Sequence, residues 1–182
     1  MSKRPQKTSD KTGRRLMLLR HAKSAWPEGV ADKDRPLAAR GEKAAPLIGN
    51  YMAREGLHPD LALISPARRT QETWTLVRKR LPGQVELREH AGIYEVSAMK
   101  ILDVLVRIEP TYRSVLILGH NPGLQELALL LTDAENADTR RRLAEKFPTA
   151  GLAVIDFGAA DWQGIHEGSG RLERFVTPRS LE

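Results

Sequence analysis

Short apolar runs alternate with segments of helical periodicity along the chain. Six such runs predict strands, at residues 16–20, 61–64, 85–88, 114–119, 151–157 and 171–176. Apolar residues repeating every three or four positions predict helices at 41–55, 68–81, 98–106 and 124–131, and residues 133–147 fit a polar helix or loop. Because parallel neighbours need crossover connections, this alternation predicts an α/β fold: a mostly parallel central sheet with helices on both faces and an optional antiparallel edge at the last two strands.

The size and composition fit one ordinary globular domain. The chain has 182 residues, of which 41% are hydrophobic and 29% charged, and no internal repeat or linker divides it. The net charge of +6 is concentrated at the start, since residues 1–15 contain six Lys or Arg and one Asp. We therefore predict a disordered basic tail at 1–15 and a single domain at 16–182.

Several classes of protein fit poorly. The apolar run at 16–19 is too short for a signal peptide, no segment reaches the roughly 20 apolar residues of a membrane span, and cysteine is absent. We expect a cytoplasmic protein without a membrane partner. The basic tail is the only feature that suggests nucleic-acid binding, and we expect no nucleic-acid partner. Deleting residues 1–15 and measuring how DNA binding depends on salt tests this expectation.

The candidate chemistry follows three of the predicted strands. These segments are Arg20-His21-Ala22-Lys23-Ser24, Ser65-Pro66-Ala67-Arg68-Arg69 and Gly119-His120-Asn121-Pro122-Gly123. Ligands of open α/β sheets bind outside the carboxyl ends of the strands, so the segments should converge. Guanidinium groups match phosphoryl oxygens, and a neutral imidazole is a competent nucleophile. The pattern favours a phosphoryl site.

The charge around the histidines should keep them neutral. A cation near a histidine disfavours its protonation, so Arg20 and Arg69 should leave His21 unprotonated near neutral pH. The five histidines show no metal-ligand spacing, and we expect neither a metal nor a cofactor.

Four motifs in this order resemble the histidine phosphatase superfamily, and more narrowly its SixA branch of phosphohistidine phosphatases. They are Arg20-His21-Ala22-Lys23-Ser24, Arg35-Pro36-Leu37 with Arg40-Gly41, Ser65 to Thr73, and Leu118 to Gly123. The resemblance covers roughly Leu16 to Val176 and implies a phosphoglycerate mutase-like fold.

The resemblance also implies roles for individual residues. His21 would accept the phosphoryl group, while Arg20, Arg69 and His120 would hold its oxygens. The family's arginine stands four residues after the serine of the Ser-Pro motif, which here selects Arg69. Further substrate-binding candidates are Ser24, Asn121 and Lys23.

The chain departs from the superfamily pattern at two places. Ala22 stands where the superfamily motif has glycine, a change familiar in the SixA-like branch. Those members of the family that have a general acid carry it as a carboxylate after the third strand, and here Glu89 and Glu95 fall in that region. Glu95 is the candidate proton donor.

The expected function is hydrolysis of a phosphoryl group through a phosphohistidine enzyme intermediate, with a protein phosphohistidine as the substrate. A small phosphoester would use the same four residues, and a mutase of the superfamily is another alternative. A phosphate-recognising binding module without turnover is the alternative from a different class.

Overall fold

The computed structural model describes residues 13–182 and contains a six-stranded sheet. The strands are β1 (Arg14–Arg20), β2 (Leu61–Ile64), β3 (Glu86–Glu89), β4 (Ser114–Gly119), β5 (Leu152–Phe157) and β6 (Gly170–Val176). Their spatial order is β3-β2-β4-β1-β5-β6. The first four strands pair in parallel, whereas β5 is antiparallel to β1 and β6 is antiparallel to β5. The predicted α/β fold with an antiparallel edge is confirmed.

Helices cover both faces of the sheet. Within the described range they are α1 (Ala39–Arg54), α2 (Arg68–Arg78), α3 (Ala98–Leu105), α4 (Gly123–Leu131) and α5 (Ala137–Glu145). Side chains of β1 alternate between two cores: Met17 and Leu19 pack with α1 and α2, while Leu16 and Leu18 pack with α3, α4 and α5. This alternation follows from the two-residue repeat of a strand. None of these helices is long and apolar enough to cross a membrane.

Some boundaries differ from the predictions. Helix α2 ends at Arg78, three residues before the predicted end, and Pro122 caps α4 instead of occupying its first helical position. Strand β1 begins two residues early because Arg14 and Arg15 are part of the sheet. The Arg15 side chain donates to Asp156 on β5 at 2.7 Å, and Arg14 donates to the carbonyl of Pro110 at 2.9 Å.

The predicted tail at 1–15 is therefore wrong at its last two residues. Both arginines find partners on distant segments, which composition cannot reveal. Residues 1–12 of that prediction lie outside the described residues.

The carboxyl ends of β2, β4 and β1 lie side by side in the sheet. The backbone amide of His21 donates to the carbonyl of Gly119, and that of Ser65 donates to the carbonyl of Leu118, both at 3.1 Å. The three predicted segments consequently meet at one edge.

Candidate active site

Four side chains named by the motifs converge at this edge. Arg20 ends β1, His21 follows it, Arg69 lies in the first turn of α2, and His120 follows β4. The rings of His21 and His120 are 5.3 Å apart, and Nη2 of Arg69 is 3.3 Å from Nδ1 of His120. His21, Arg69 and His120 are 7%, 2% and 4% exposed. The cluster is a buried pair of imidazoles beside guanidinium groups.

His21 has a defined tautomer. Its Nδ1 lies 2.8 Å from the carbonyl oxygen of Ala22, which can only accept, so Nδ1 carries the proton and donates. The lone pair is therefore on Nε2, and this nitrogen has no hydrogen-bond partner among residues 13–182. His21 can offer Nε2 as a nucleophile.

Burial keeps His21 neutral. The pKa of His21 is lowered to about 4: burial is the largest cause, the hydrogen bond to the Ala22 carbonyl opposes it, and the charges of Arg69, Arg20 and Arg35 add to the lowering. From the sequence, the neighbouring arginines alone were the reason to expect a lowered pKa for His21. Loss of solvent is the larger cause, because the imidazolium would have to form in a nearly dry site.

His120 has partners on both ring nitrogens. Nε2 is 2.7 Å from the Ser65 hydroxyl, and Nδ1 is 3.3 Å from both Arg69 Nη2 and Glu95 Oε1. The pKa of His120 is lowered to about 3, chiefly by burial and in addition by the neighbouring His21 and Arg69. The two histidines thus differ: one has a free ring nitrogen and the other has none.

Arg20 and Arg69 each retain an unpaired donor. Arg69 donates to the Asp32 carbonyl at 2.7 Å and to Glu95 Oε1 at 2.9 Å, and Arg20 donates to the Phe147 carbonyl at 2.9 Å. The buried Nε of each has no hydrogen-bond partner among the described residues. Buried donors are normally satisfied, so these two N–H groups suit the oxygens of an anion.

Glu95 reaches the cluster, whereas Glu89 does not. The backbone of Glu95 is left-handed with a φ of 51°, a conformation rare for residues other than glycine and enriched at functional sites. Glu89 instead accepts a hydrogen bond from Gln71 at 2.9 Å. Of the two carboxylates considered from the sequence, Glu95 is the one beside the histidines.

The other predicted binding residues have different positions. Asn121 adjoins the cluster; its Nδ2 donates to the Phe147 carbonyl at 3.1 Å, and its buried Oδ1 has no partner within residues 13–182. Ser24 is buried and accepts a hydrogen bond from Arg35. Lys23 is exposed, forms no hydrogen bond with the four central side chains, and lines a neighbouring groove.

The loop between β1 and α1 brings Asp32 and Arg35 to the cluster, and neither had been assigned a role from the sequence. Asp32 accepts from the Tyr94 hydroxyl at 2.5 Å, from Arg35 at 2.9 Å and from Arg69 Nη2 at 3.1 Å. Arg35 belongs to the motif Arg35-Pro36-Leu37, and this motif was the one feature of the sequence that pointed to the loop. Asp32 and Tyr94 are 62 positions apart and carry no motif. Asp32 thereby holds Arg69, and the ring of Tyr94 lies 5.3 Å from the ring of His120.

Comparison with known proteins identifies the class. The sequence profile of the histidine phosphatase superfamily (branch 1) matches residues 16–103. An uncharacterised protein of Mycobacterium tuberculosis strain H37Rv is 33% identical over 163 residues, or 88% of this chain and 100% of that protein. The chain therefore belongs to the histidine phosphatase superfamily, and it is a phosphatase.

Two solved structures refine this assignment. An Agrobacterium tumefaciens protein assigned as the phosphohistidine phosphatase SixA is 29% identical, with a TM-score of 0.75 over 91% of this chain and 98% of that chain. A Nakamurella multipartitia protein with the same assignment is 24% identical, with a TM-score of 0.79 over 91% of this chain and 96% of that chain. Within the superfamily this chain is of the SixA type, as the motifs predicted.

Proposed function

We propose that this phosphatase hydrolyses phosphohistidine on proteins and that His21 is the residue that accepts the phosphoryl group. The observation that supports this most is the asymmetry of the two histidines. Nε2 of His21 has no partner among residues 13–182, whereas Nε2 of His120 is 2.7 Å from Ser65. Similarity to a protein assigned as SixA supports the substrate class.

The reaction has two balanced steps. In the first, the Nε2 lone pair of His21 forms a bond to phosphorus, the bond from phosphorus to the substrate nitrogen breaks, and the departing imidazole takes a proton from solvent water. In the second, water attacks phosphorus, the bond to Nε2 breaks, and the proton that the attacking water loses returns to solvent, which releases inorganic phosphate. Arg20, Arg69 and His120 stabilise the charge on the phosphoryl oxygens in both steps.

The leaving group decides how much the reaction needs a general acid. An alkoxide must be protonated as it leaves, whereas an imidazole is a better leaving group. Glu95 is the candidate proton donor, but its Oε1 already accepts a hydrogen bond from Arg69 at 2.9 Å. Only the second carboxyl oxygen, Oε2, is left to carry a proton. We therefore expect phosphohistidine to be preferred over alkyl phosphates.

The test compares kcat/KM for a phosphohistidine protein, a phosphohistidine peptide and small alkyl phosphates, using the full chain and Glu95→Gln. Higher kcat/KM for both phosphohistidine substrates, changed little by Glu95→Gln, is the expected result. A strong preference for an alkyl phosphate that Glu95→Gln abolishes would make the chain a small-molecule phosphomonoesterase with Glu95 as its acid. Binding of every substrate without turnover would favour a phosphate-recognising module.

A further inference from the structure

A basic groove borders the active site. It has a volume of about 680 Å³, and six exposed cations line it against two carboxylates, Glu145 and Glu182. The cations are Lys23, Arg40, Lys43, Arg142, Lys146 and Arg179. They come from the loop after β1, the first turns of α1, the end of α5 and the C-terminal turn Pro178–Leu181. Four separate segments thus assemble one positive surface.

None of these six cations forms an ion pair with another side chain of residues 13–182. Arg141, directly beside Arg142, does pair with Asp138. Elsewhere, Arg88 and Arg174 each contact glutamates within 3.1 Å. The N-terminus of α1 adds the positive end of a helix dipole to the same wall. A concave surface lined by charges of one sign concentrates the electrostatic potential and attracts a partner of the opposite charge.

Two residues that line the groove are close neighbours, along the chain, of residues at the phosphoryl site. Lys23 lies two residues after His21, and its carbonyl accepts a hydrogen bond from the backbone amide of Ala38 at 2.8 Å, just before α1. On the other side, the lining residue Pro148 follows Phe147, whose carbonyl accepts from Arg20. A chain whose phosphoryl group contacts His21 would therefore have its flanking residues at the entrance of the groove.

We propose that this basic groove docks an acidic segment that flanks the phosphohistidine of the substrate protein. The proposal rests on the proposed function and names the feature that the substrate must carry. Cations spread over four segments exceed what one phosphoryl group can contact, so the ligand is extended. The lining aromatic, Phe175, is 6% exposed, and no stacking platform for bases is present among the described lining residues. An acidic polypeptide fits this surface better than a nucleic acid.

The test uses three forms of the full chain and two peptides. The peptides carry a central phosphohistidine flanked by glutamates or by glutamines. The parent protein is compared with Lys43→Glu/Lys146→Glu in the groove and with Lys79→Glu/Arg113→Glu, a matched exchange of exposed cations outside it. The readout is the ratio of kcat/KM for the glutamate and glutamine peptides within each protein, which cancels differences in active fraction.

We expect the parent and the matched control to prefer the glutamate peptide by roughly 10-fold and the groove variant to lose that preference. The reason is that the two substitutions turn two exposed attractive charge contacts into repulsive ones. Added salt should reduce the preference. A ratio near one in the parent, or equal losses in both variants, would overturn the proposal.

Binding of the unphosphorylated glutamate peptide, followed by fluorescence anisotropy, separates the two proposals. If no phosphohistidine substrate is turned over, the proposed function fails, and the groove is still tested by whether Lys43→Glu/Lys146→Glu weakens this binding roughly 10-fold while the matched control does not. Binding of a short DNA duplex that depends on Lys43 and Lys146, with no binding of the glutamate peptide, would show that the partner is a nucleic acid and would overturn the proposal.

Discussion

Two buried neutral histidines make stability depend on pH in a defined direction. An unfolded histidine has a pKa near 6.5, whereas folding lowers the pKa of His21 to about 4 and that of His120 to about 3. Between pH 6.5 and 4 the unfolded chain binds more protons than the folded one, so the free energy of unfolding decreases as pH falls. Each histidine should make the free energy of unfolding about 2 kcal/mol lower at pH 5 than at pH 8.

The perturbation that tests this is His21→Asn, which replaces the imidazole by a group that does not titrate. The loss of stability between pH 8 and pH 5 should be smaller in the variant than in the parent by about 2 kcal/mol. Urea unfolding followed by the fluorescence of the buried Trp74 and Trp162 measures it at each pH. His58→Asn, at an exposed histidine, controls for the loss of an imidazole. An unchanged pH dependence in His21→Asn would refute the burial argument.

Two further substitutions test the geometry around the site. Arg69→Lys keeps the charge but loses the planar fork, so kcat/KM should fall roughly 10²-fold while the phosphoenzyme still forms; parental kinetics would contradict this. In Gly41→Ala the new Cβ would lie 2.1 Å from the Lys23 carbonyl oxygen, which should lower the free energy of unfolding by about 1–3 kcal/mol and reduce kcat/KM. Urea unfolding measures this against Gly158→Ala, where nothing lies within 4 Å of the added Cβ, and equal stability of the two variants would count against it.

The parts of the fold that sequence predicts best are those fixed by local pattern. Strands β2 and β4 have the predicted bounds because each is an apolar run buried on both faces. The start of β1 could not be found in this way. Arg15 is stabilised in the sheet by Asp156, which is 141 positions away.

The site shows the same division. His21 and His120 were found because each directly follows a buried strand, and strand ends meet at one edge of a parallel sheet. The contact of Asp32 with Tyr94 depends on the path of a long loop, for which the sequence has no periodic signal. The basic groove was also missed. The formal charge of residues 16–182 is only +1, and a net charge does not show where the charged side chains lie in the folded protein.

The central claim, that His21 carries the phosphoryl group, is tested most directly by trapping the phosphoenzyme. Rapid quench with radiolabelled substrate should give a label that is lost in acid and survives alkali, as expected of a phosphoramidate. His21→Ala should abolish the label together with turnover. His120→Ala should still become labelled, with turnover slowed roughly 10²–10³-fold, since it loses electrostatic stabilisation but keeps the nucleophile. Labelling of His120 in the His21→Ala protein, or an acid-stable adduct on the parent, would contradict the assignment.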